Sequence, residues 1–599
     1  MILPNWNDYD PMLHAFLACG EDATDEALRP LRSGATVAID TETPGVSDPF
    51  TIKCVTAAWH IEGGMVQSVI LDPLRNSADR FAVRSIMERA GELVLHNGSF
   101  DIPGLVATGL MKLPEIAKVS DTIVYARMAY PDTLMKKSLE ALCVRLLGMS
   151  ELSGGMDRAF NAAGYKSRSQ GFAKMDIDSP IYRFGAMADT VCTLRLLDLI
   201  REEAVARLLN HPFDKYGHTT GEDAKAEVEK QQQVNRIMLR RSAKGLAVDM
   251  EYLDAFREQV AGECERAEAL LSGSGVRPGN GNDLMAAIDR MGDLPPGWPR
   301  TPTGRLKSDK ASLEALEHPL AQAHRAVAHS SKVLGYLEKV VARSSYTGRL
   351  HPQVNVLGAS ATGRMTYGEP ELQQFPEEAR PIIVCDGQGL TSLDWSQIEP
   401  VTLANMAHDT GFLAPFEAGA DLYEPIQRAA GIDRKTAKVV LLATMYGQGQ
   451  TKLARTINQT PEAAAQIKRQ MLAAMPESAK LMGKISQIAA TYGIVITLSG
   501  RILTIPQFDG EYAAYKGVNY TGQGSAYDIL AETIIEAERR GLGEHIQLAM
   551  HDELVVDTPV AAEIEDIMRT PPQALIRWAE RVPVLRTDRA DLGHTWLAV

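Results

Sequence analysis

The sequence predicts a multi-domain α/β protein, and three features of the chain support this fold class. Its 599 residues exceed the roughly 250–300 at which a single hydrophobic core stops growing. Short apolar runs alternate with helical patterns over the first 206 residues, which predicts a sheet covered by helices. Long amphipathic helical patterns without strands follow, and strands return in the C-terminal part.

The composition is that of an ordinary globular chain, with 45% hydrophobic and 23% charged residues. No apolar run reaches membrane length and the N-terminus has no signal pattern, so we expect a cytoplasmic protein without a membrane partner. The six cysteines form no CxxC pair, which predicts reduced thiols. A net charge of −14 argues weakly against a nucleic-acid partner, although an acidic surface can accompany a locally basic groove.

The first predicted sheet begins with a strand at 35–43 that ends in two carboxylates. Asp40 and Glu42 are two residues apart, so an extended backbone places both side chains on one face. The apolar runs 52–59 and 66–71 have the pattern of a hairpin that continues the same sheet. One edge of this sheet is therefore expected to carry two acids.

Two more carboxylates fall at the ends of elements in the same α/β unit. Asp101 follows a predicted strand at 93–95, and Asp189 lies in a predicted helix at 184–206. Burying four acids together is unfavourable unless cations neutralise them. Two Mg²⁺ ions about 3.5–4 Å apart would do so and would activate water against a phosphodiester. The alternative is that some of the four are helix caps or surface acids.

Residues 207–345 have the pattern of a helical arm. Amphipathic patterns at 224–245 and 250–271 predict long helices, and helices return at 313–343. The stretch 273–302 is rich in Gly and Pro, which predicts a loop. The last helical stretch carries a basic cluster of Arg325, Lys332, Lys339 and Arg343. This cluster is either a solvated helix face or a surface that binds a nucleic-acid backbone.

Two acidic stretches in the C-terminal part predict a second metal site. Asp394 ends a short buried strand that begins at Leu390, a position that suits a divalent cation over a sheet edge. Asp552 and Glu553 lie between two apolar runs, at the predicted turn of a β-hairpin. Two-metal phosphoryl transfer needs oxygens on both ions, so we expect Asp394 and Asp552 to lie close together. Taken alone, each stretch is better explained by a helix cap or a turn residue than by a metal site.

A predicted helix between these stretches presents cations and an aromatic residue on one face. Asp433 is a plausible N-cap and Gly447 a plausible stop. Side chains spaced four residues apart form a slowly drifting stripe. The stripe consists of Arg434, Lys438, Leu442 and Tyr446. It suits a nucleotide, with the triphosphate at the helix start and the base further along; a basic amphipathic helix is the alternative.

The N-terminal acids resemble the three motifs of DnaQ-like 3′–5′ proofreading exonucleases. The matching residues are Asp40-Thr41-Glu42, Asn97 with Phe100-Asp101, and Asp189 with Thr193-Leu194-Arg195-Leu196. The resemblance implies an RNase H-like domain in which Asp40, Glu42, Asp101 and Asp189 hold two Mg²⁺ ions. In that family a Tyr four residues before the third-motif Asp orients the attacking water, but Gly185 stands there in this chain. Tyr182, about two helical turns before Asp189, is the expected substitute.

Five motifs occur in the remaining chain, in the order Thr362-Gly363-Arg364, Asp394…Glu399, Arg434…Lys438…Tyr446-Gly447, Asn519…Gln523-Gly524 and His551-Asp552-Glu553. Together they closely resemble those of family A DNA polymerases, the large fragment of bacterial DNA polymerase I and its phage homologues. The resemblance implies a right-hand polymerase, with an antiparallel palm sheet and helical thumb and fingers, after the exonuclease domain. The implied division is 1–206 exonuclease, 207–345 thumb, 346–410 palm, 411–490 fingers and 491–599 palm again. The 5′ nuclease domain that many relatives carry has no room before Asp40.

The polymerase resemblance also implies a role for each matching residue. Asp394 and Asp552 would hold two Mg²⁺ ions with Glu553 nearby, and Lys438 would protonate the pyrophosphate leaving group. The expected nucleotide-binding residues are Arg434, Lys438, Leu442, Tyr446, Gln397, Glu399 and Tyr423. Those expected to contact the minor-groove side of the primer terminus are Arg364, Asn519, Gln523 and His551. Glu399 would also exclude a ribose 2′-hydroxyl.

This chain departs from the polymerase pattern at three positions. Leu442 stands where relatives have Phe or Tyr, so no side-chain hydroxyl replaces a missing 3′-hydroxyl and we predict discrimination against dideoxynucleotides. Val401 stands where an Arg is common, so one phosphate-side contact is lost or supplied by another residue. Tyr423 stands where relatives often have His.

The sequence therefore predicts a monomeric, template-directed DNA polymerase with a proofreading exonuclease. Its expected partners are primer-template DNA, dNTPs and replication accessory proteins. The missing 5′ nuclease and compact length favour a phage replicative enzyme in the host cytoplasm, by analogy. A single-subunit RNA polymerase is the first alternative, against which Glu399 and the exonuclease motifs argue. A DNA-binding accessory protein with decayed catalytic sites is the second.

Overall fold

The computed structural model describes residues 17–18, 28–29, 31–45, 48–61, 65–132, 134–213 and 217–597. The chain divides into two compact units. Unit 1 comprises Met1–Gly245, Gln353–Gly368 and Leu390–Asp591. Unit 2 comprises Leu246–Pro352, Glu369–Gly389 and Leu592–Val599. Within the described ranges, no helix combines the length and apolarity needed to cross a bilayer.

The described strands are, in chain order, β1 (Leu17–Ala18), β2 (Thr36–Glu42), β3 (Cys54–His60), β4 (Val66–Leu71), β5 (Glu92–Leu95), β6 (Val119–Asp121), β7 (Leu246–Val248), β8 (Arg349–Leu350), β9 (Gln353–Asn355), β10 (Thr366–Gly368), β11 (Ile383–Val384), β12 (Leu390–Trp395), β13 (Ile494–Ile496), β14 (Ile502–Thr504), β15 (Gln507–Phe508), β16 (Glu511–Tyr512), β17 (Ile546–Met550), β18 (Glu553–Asp557) and β19 (Thr587–Gly593).

The described α-helices are α1 (Ser77–Arg89), α2 (Asp101–Ala107), α3 (Thr122–Ala129), α4 (Leu139–Leu142), α5 (Ser150–Ala162), α6 (Arg168–Lys174), α7 (Pro180–Leu209), α8 (Gly221–Lys244), α9 (Met250–Gly273), α10 (Gly281–Met291), α11 (Lys310–Glu314), α12 (Pro319–Ser344), α13 (Ile398–Met406), α14 (Thr410–Glu417), α15 (Glu424–Ala430), α16 (Arg434–Met445), α17 (Gln450–Thr456), α18 (Pro461–Ala474), α19 (Pro476–Tyr492), α20 (Gly517–Arg539), α21 (Ala561–Arg569) and α22 (Gln573–Ile576).

The first sheet of unit 1 has the strand order β1-β4-β3-β2-β5-β6. β2 runs antiparallel to β3 and parallel to β5, which confirms the predicted strand and hairpin. Asp40 lies opposite Thr56 and Glu42 opposite Cys54 in the β2–β3 register. Helix α8 packs on this sheet's core through Leu239, so this part of the predicted arm lies in unit 1.

The second main sheet of unit 1 has the order β17-β18-β12-β19. β12 and β17 each pair antiparallel with β18, and Asp394 lies directly opposite Glu553. β17 ends at Met550 and β18 begins at Glu553, which confirms the predicted hairpin turn. The indole Nε1 of Trp395 donates to the carbonyl oxygen of Met568 at 2.8 Å, fixing the end of β12 on helix α21.

Unit 2 is mainly helical and corrects the loop predicted at 273–302. That stretch contains α10, whose N-cap Asn280 accepts hydrogen bonds from two backbone amides. Leu284 and Ile288 are four residues apart and buried, so the helix packs into the core of unit 2. Apart from Gly281 at its first position, the Gly and Pro residues flank this helix rather than interrupt it, which is why a count of loop-forming residues hides it.

Part of the predicted basic cluster is also corrected. Arg343 is 0% exposed, so its guanidinium is not available to a nucleic-acid backbone. Lys339 forms ion pairs with Glu371 at 2.8 Å and Glu369 at 3.6 Å. Of these two cations of α12, Arg343 is therefore buried in the interior of unit 2 and Lys339 is paired with acids of the same unit.

Candidate active sites

The four predicted N-terminal acids lie together in unit 1. Asp40, Glu42 and Asp189 each offer a carboxylate oxygen within 4.8 Å of the others. Asp101, at the start of α2, is buried and accepts two hydrogen bonds from Thr41, from its amide at 3.1 Å and its hydroxyl at 2.5 Å. β2, α2 and α7 thus bring to one place acids that lie far apart in the sequence.

Burial raises the pKa of each of these acids, and repulsion from other members of the cluster adds to the rise at Asp40 and Glu42. The pKa of Asp40 is raised well above its ordinary value by burial and then by the charges of Asp101, Glu42 and Asp189. Burial also raises the pKa of Asp101 to about 7 and that of Asp189 to about 6. Lys53 opposes the rise in the pKa of Glu42 only in part. Uncompensated carboxylate oxygens are the ligands that Mg²⁺ prefers, so this donor set fits divalent metal ions.

Tyr182, the predicted water-orienting residue, lies in the core beneath this site. It is 0% exposed, its hydroxyl accepts a hydrogen bond from the Cys54 thiol at 3.8 Å, and its ring lies 5.4 Å from that of Phe172. At Gly185 an added Cβ would come within 2.7 Å of the ends of Met156 and Phe172. Packing therefore excludes a larger side chain at 185 unless these neighbours move.

The predicted C-terminal acids form a second cluster. Burial raises the pKa of Asp394 to about 7, with further contributions from Asp552, Glu553 and Asp588, and Lys438 opposes the rise. The Asp394 Oδ1 atom is buried and has no hydrogen-bond partner within the described chain. A buried carboxylate oxygen without a donor is unfavourable unless a cation neutralises it, so this site also fits a divalent metal ion.

Asp588 was not predicted from the sequence. It lies on β19, next to β12 in the sheet, and accepts a hydrogen bond from the Ser396 hydroxyl at 2.9 Å. The sequence gives no signal for Asp588, because the segment Thr587–Gly593 is mostly exposed and has weak strand alternation. Only the strand order brings Asp588 near Asp394. Glu553 is held in turn by the Ser392 hydroxyl at 2.5 Å.

Two residues beside the acids adopt left-handed backbone conformations. Gln397 has φ 54° and His551 has φ 56°, values that are uncommon for residues other than glycine. Gln397 caps helix α13, and His551 directly precedes Asp552 in the hairpin turn. Strained backbone of this kind is concentrated at functional sites, where it sets the direction of neighbouring side chains.

The predicted stripe lies on the outward face of α16. Asp433 caps the helix by accepting from the Thr436 amide, and Tyr446 follows its last residue. Arg434, Lys438 and Tyr446 are exposed and Leu442 is half-buried, while the opposite face packs inward. The stripe residues therefore remain available to a ligand.

The start of this stripe is held by two residues of the neighbouring segment. Arg434 Nε donates to Asp421 Oδ2 at 2.7 Å, and the guanidinium lies 5.5 Å from the Tyr423 ring centroid. Asp421 was not predicted, because a single acid in a turn has no distinguishing pattern. It holds Arg434 at the start of the stripe.

Glu399 connects the stripe to the predicted DNA-binding residues. The Tyr446 hydroxyl donates to Glu399 Oε2 at 3.1 Å, and Arg364 forms an ion pair with the other carboxylate oxygen. Gln523 on α20 hydrogen-bonds the Tyr446 hydroxyl. Asn519, four residues earlier on the same helix, has a buried Oδ1 without a partner among the described residues. The structure thus brings Arg364 and Tyr446 together on one carboxylate, with Gln523 beside Tyr446.

Gly363 lets the backbone before Arg364 approach a buried ion pair. It has φ 64°, and an added Cβ would lie 2.3 Å from Arg501 Nη1. Arg501 Nε in turn lies 2.7 Å from Asp528 Oδ1 in the interior of unit 1. Only glycine fits this position, and the close approach fixes the backbone that carries Arg364.

The sequence matches the family described as DNA polymerase family A over residues 251–597. It is 25% identical to the DNA polymerase of Mycobacterium phage L5 over 555 residues, which cover 88% of this chain and 87% of the phage protein. It is 27% identical to the thermostable DNA polymerase I of Thermus aquaticus over 367 residues, 54% of this chain and 43% of that protein.

The structure is similar to the POL domain of Pol1 from M. smegmatis, solved in complex with DNA primer-template and dNTP. The TM-score is 0.70, with 21% sequence identity, 97% of this chain and 99% of that chain covered. At this identity the likeness shows the mixed α/β fold of such a domain.

Proposed function

This chain belongs to DNA polymerase family A, and from that premise we propose that it extends a DNA primer along a template by adding deoxynucleotides. One observation carries the proposal. Asp394, with its unpartnered buried oxygen, lies near Lys438 of the outward stripe on α16. A carboxylate site for cations beside a basic stripe for phosphates is what nucleotidyl transfer requires.

The implied architecture is an RNase H-like domain at 1–206, a helical thumb at 207–345, and a palm at 346–410 and 491–599 around the fingers at 411–490. The M. smegmatis relative, solved with primer-template DNA and dNTP, supports these partners for this chain. The similarity to nearly the full length of a phage polymerase supports a role in phage DNA replication.

Asp394 and Asp552 are the residues that would hold two Mg²⁺ ions. Bound there, the ions would lower the pKa of the primer 3′-hydroxyl and neutralise charge on the incoming triphosphate. Arg434 would exchange Asp421 for a phosphate oxygen, a charge-assisted contact of similar geometry. Lys438 would donate a proton to the pyrophosphate leaving group, one helical turn further along the same face.

Glu399 would select deoxynucleotides, because its carboxylate is held in place from two sides. Tyr446 and Arg364 both contact it, so it cannot easily turn away from a ribose 2′-hydroxyl.

Extension of a 5′-labelled primer with dNTPs or with rNTPs tests the proposed function. We expect extension with dNTPs and extension that is about a hundredfold slower or more with rNTPs. Discrimination of this size is what a well-packed polar side chain in the substrate pocket provides. Preferred use of rNTPs would instead identify an RNA polymerase.

Leu442 predicts poor use of dideoxynucleotides. It offers no hydroxyl to replace the missing 3′-hydroxyl of such a substrate, and it lies half-buried on the nucleotide face of α16. We expect the ratio of ddNTP to dNTP incorporation to rise about tenfold or more in Leu442→Tyr, the value of roughly one added hydrogen bond. Competition between ddTTP and dTTP on a single-site template measures the ratio. Equal use of the two substrates by the wild-type protein would contradict the prediction, and Leu442→Met is the control for side-chain volume.

The N-terminal acids support a second activity, removal of nucleotides from a DNA 3′ end. Asp40, Glu42, Asp101 and Asp189 would hold two Mg²⁺ ions, which would activate water and stabilise charge at the phosphodiester. The compact carboxylate cluster and the raised pKa values carry this part of the proposal. Shortening of a labelled primer in the absence of dNTPs tests it.

A further inference from the structure

A small cavity borders Asp189 and holds two other charged side chains. Its volume is about 30 Å³, which is room for about one water molecule. Glu140, Arg168 and Asp189 are the charged residues that line it, and Met156 and Phe172 form part of its apolar wall. A water molecule here would lie beside both a metal-binding carboxylate and the carboxylate of Glu140.

Neither of the α7 residues one and two helical turns before Asp189 offers this water a proton acceptor. Gly185 lines the cavity without a side chain, and Met156 and Phe172 occupy the space that a Cβ would need. The Tyr182 hydroxyl faces the Cys54 thiol inside the core. Hydrolysis nevertheless needs a group that orients the attacking water and takes its proton.

Glu140 is held at the cavity by Arg168. The Arg168 Nη1 atom lies 3.4 Å from Glu140 Oε2, and its Nε lies 3.3 Å from Asp157 Oδ1. A guanidinium between two acids restricts the carboxylate of Glu140 while leaving its second oxygen for another partner.

We infer that Glu140 orients the attacking water of the exonuclease site and accepts its proton, and that Arg168 positions Glu140. This inference rests on the proposed exonuclease activity. Three observations carry it: the cavity beside Asp189, the absence of a side chain at 185, and the Arg168 contact. The four clustered acids are committed to metal ions, which leaves Glu140 as the carboxylate at this cavity that is free of that role.

The step conserves atoms and charge. The water oxygen attacks the phosphorus of the terminal phosphodiester while its proton passes to the Glu140 carboxylate. The bond between phosphorus and the 3′-oxygen of the preceding nucleotide breaks, and that oxygen takes a proton from solvent. The products are a nucleoside 5′-monophosphate and a strand shorter by one nucleotide with a free 3′-hydroxyl. Glu140 then returns its proton to solvent.

Single-turnover digestion of a 5′-labelled single-stranded oligonucleotide by the full chain tests the inference. We expect Glu140→Ala and Glu140→Gln to lower the cleavage rate about a hundredfold, the typical value of a general base. DNA affinity, measured with Ca²⁺ in place of Mg²⁺, and the Tm should stay at the wild-type value, because the side chain is half exposed. Asp198→Ala is the matched control, since this acid of α7 is 80% exposed on its side chain and does not line the cavity, and it should cleave normally. Arg168→Ala should lose part of the rate and Arg168→Lys should recover it.

A Glu140→Ala variant that cleaves within about threefold of an active wild type would overturn this inference alone. So would loss of cleavage in Tyr182→Phe while Glu140→Ala stays active, which would return the role to Tyr182. A wild-type protein that removes no nucleotide would overturn the proposed exonuclease and this inference together. A loss in Glu140→Ala that comes with a lower Tm or weaker DNA binding would identify a structural role and overturn it as well.

Discussion

Primer extension should fall by about a thousandfold or more in Asp394→Asn. The amide keeps the size of the carboxylate but removes its charge, and a metal ion at such a site is worth several kcal/mol to the transition state. Asp394 is suited to this role because its Oδ1 atom is buried without a partner and because Asp552 and Asp588 add to its uncompensated charge. Rapid-quench extension by one nucleotide measures the effect.

Asp591→Asn is the control for this experiment. Asp591 lies on β19 of the same sheet and accepts from the Thr391 hydroxyl at 2.9 Å, but its side chain is 62% exposed. We expect this variant to extend primers normally and both variants to bind primer-template DNA as the wild type does. Undiminished extension by Asp394→Asn would show that the nucleotidyl-transfer site lies elsewhere.

Asp40→Asn should slow primer shortening by about a thousandfold or more.

The same substitution should also change the Tm in a direction that depends on pH and metal. Because burial raises the pKa of Asp40 in the folded protein, the contribution of this carboxyl to stability is fully present below its pKa in the unfolded chain, about 3.9. That contribution is lost as the pH rises through the pKa of Asp40 in the folded protein. Without metal, Asp40→Asn should therefore have a higher Tm than the wild type at pH 8 and a similar Tm at pH 4.

With Mn²⁺ at pH 8 the wild type should instead have the higher Tm, because only the wild-type site gains binding energy from the ion. Thermal unfolding in EDTA and in Mn²⁺ measures both effects. Asp198→Asn is the control, since this acid of α7 is 80% exposed on its side chain and lies outside the cluster. A lower Tm for Asp40→Asn in EDTA at pH 8 would mean that the carboxylate makes a stabilising contact rather than awaiting a cation.

Elements with a strong periodic pattern could be predicted from the sequence. The β2–β3–β4 strands, the hairpin around Asp552 and the capped helix α16 appear where their apolar spacing places them. Helix α10 was missed because its flanking Gly and Pro residues dominate the local composition. Asn280 as a cap and the four-residue spacing of Leu284 and Ile288 were the available signals.

Residues that depend on tertiary packing could not be predicted. Asp588 reaches Asp394 only through the order of strands in the sheet, and Asp421 reaches Arg434 only when α16 has packed. Arg343 looked like a surface cation from its spacing, but it is fully buried. Helical spacing predicts on which face of a helix a residue lies, whereas its burial depends on what packs against that face.

The most direct measurement incubates the wild-type protein with a 5′-labelled primer on a longer template and Mg²⁺, with and without dNTPs. With dNTPs we expect products extended to the template end, and without them products shortened one nucleotide at a time. Extension should vanish in Asp394→Asn and shortening in Asp40→Asn, each with the other activity retained. A primer that is bound but keeps its length under both conditions would contradict both assignments and would identify a DNA-binding protein without catalysis.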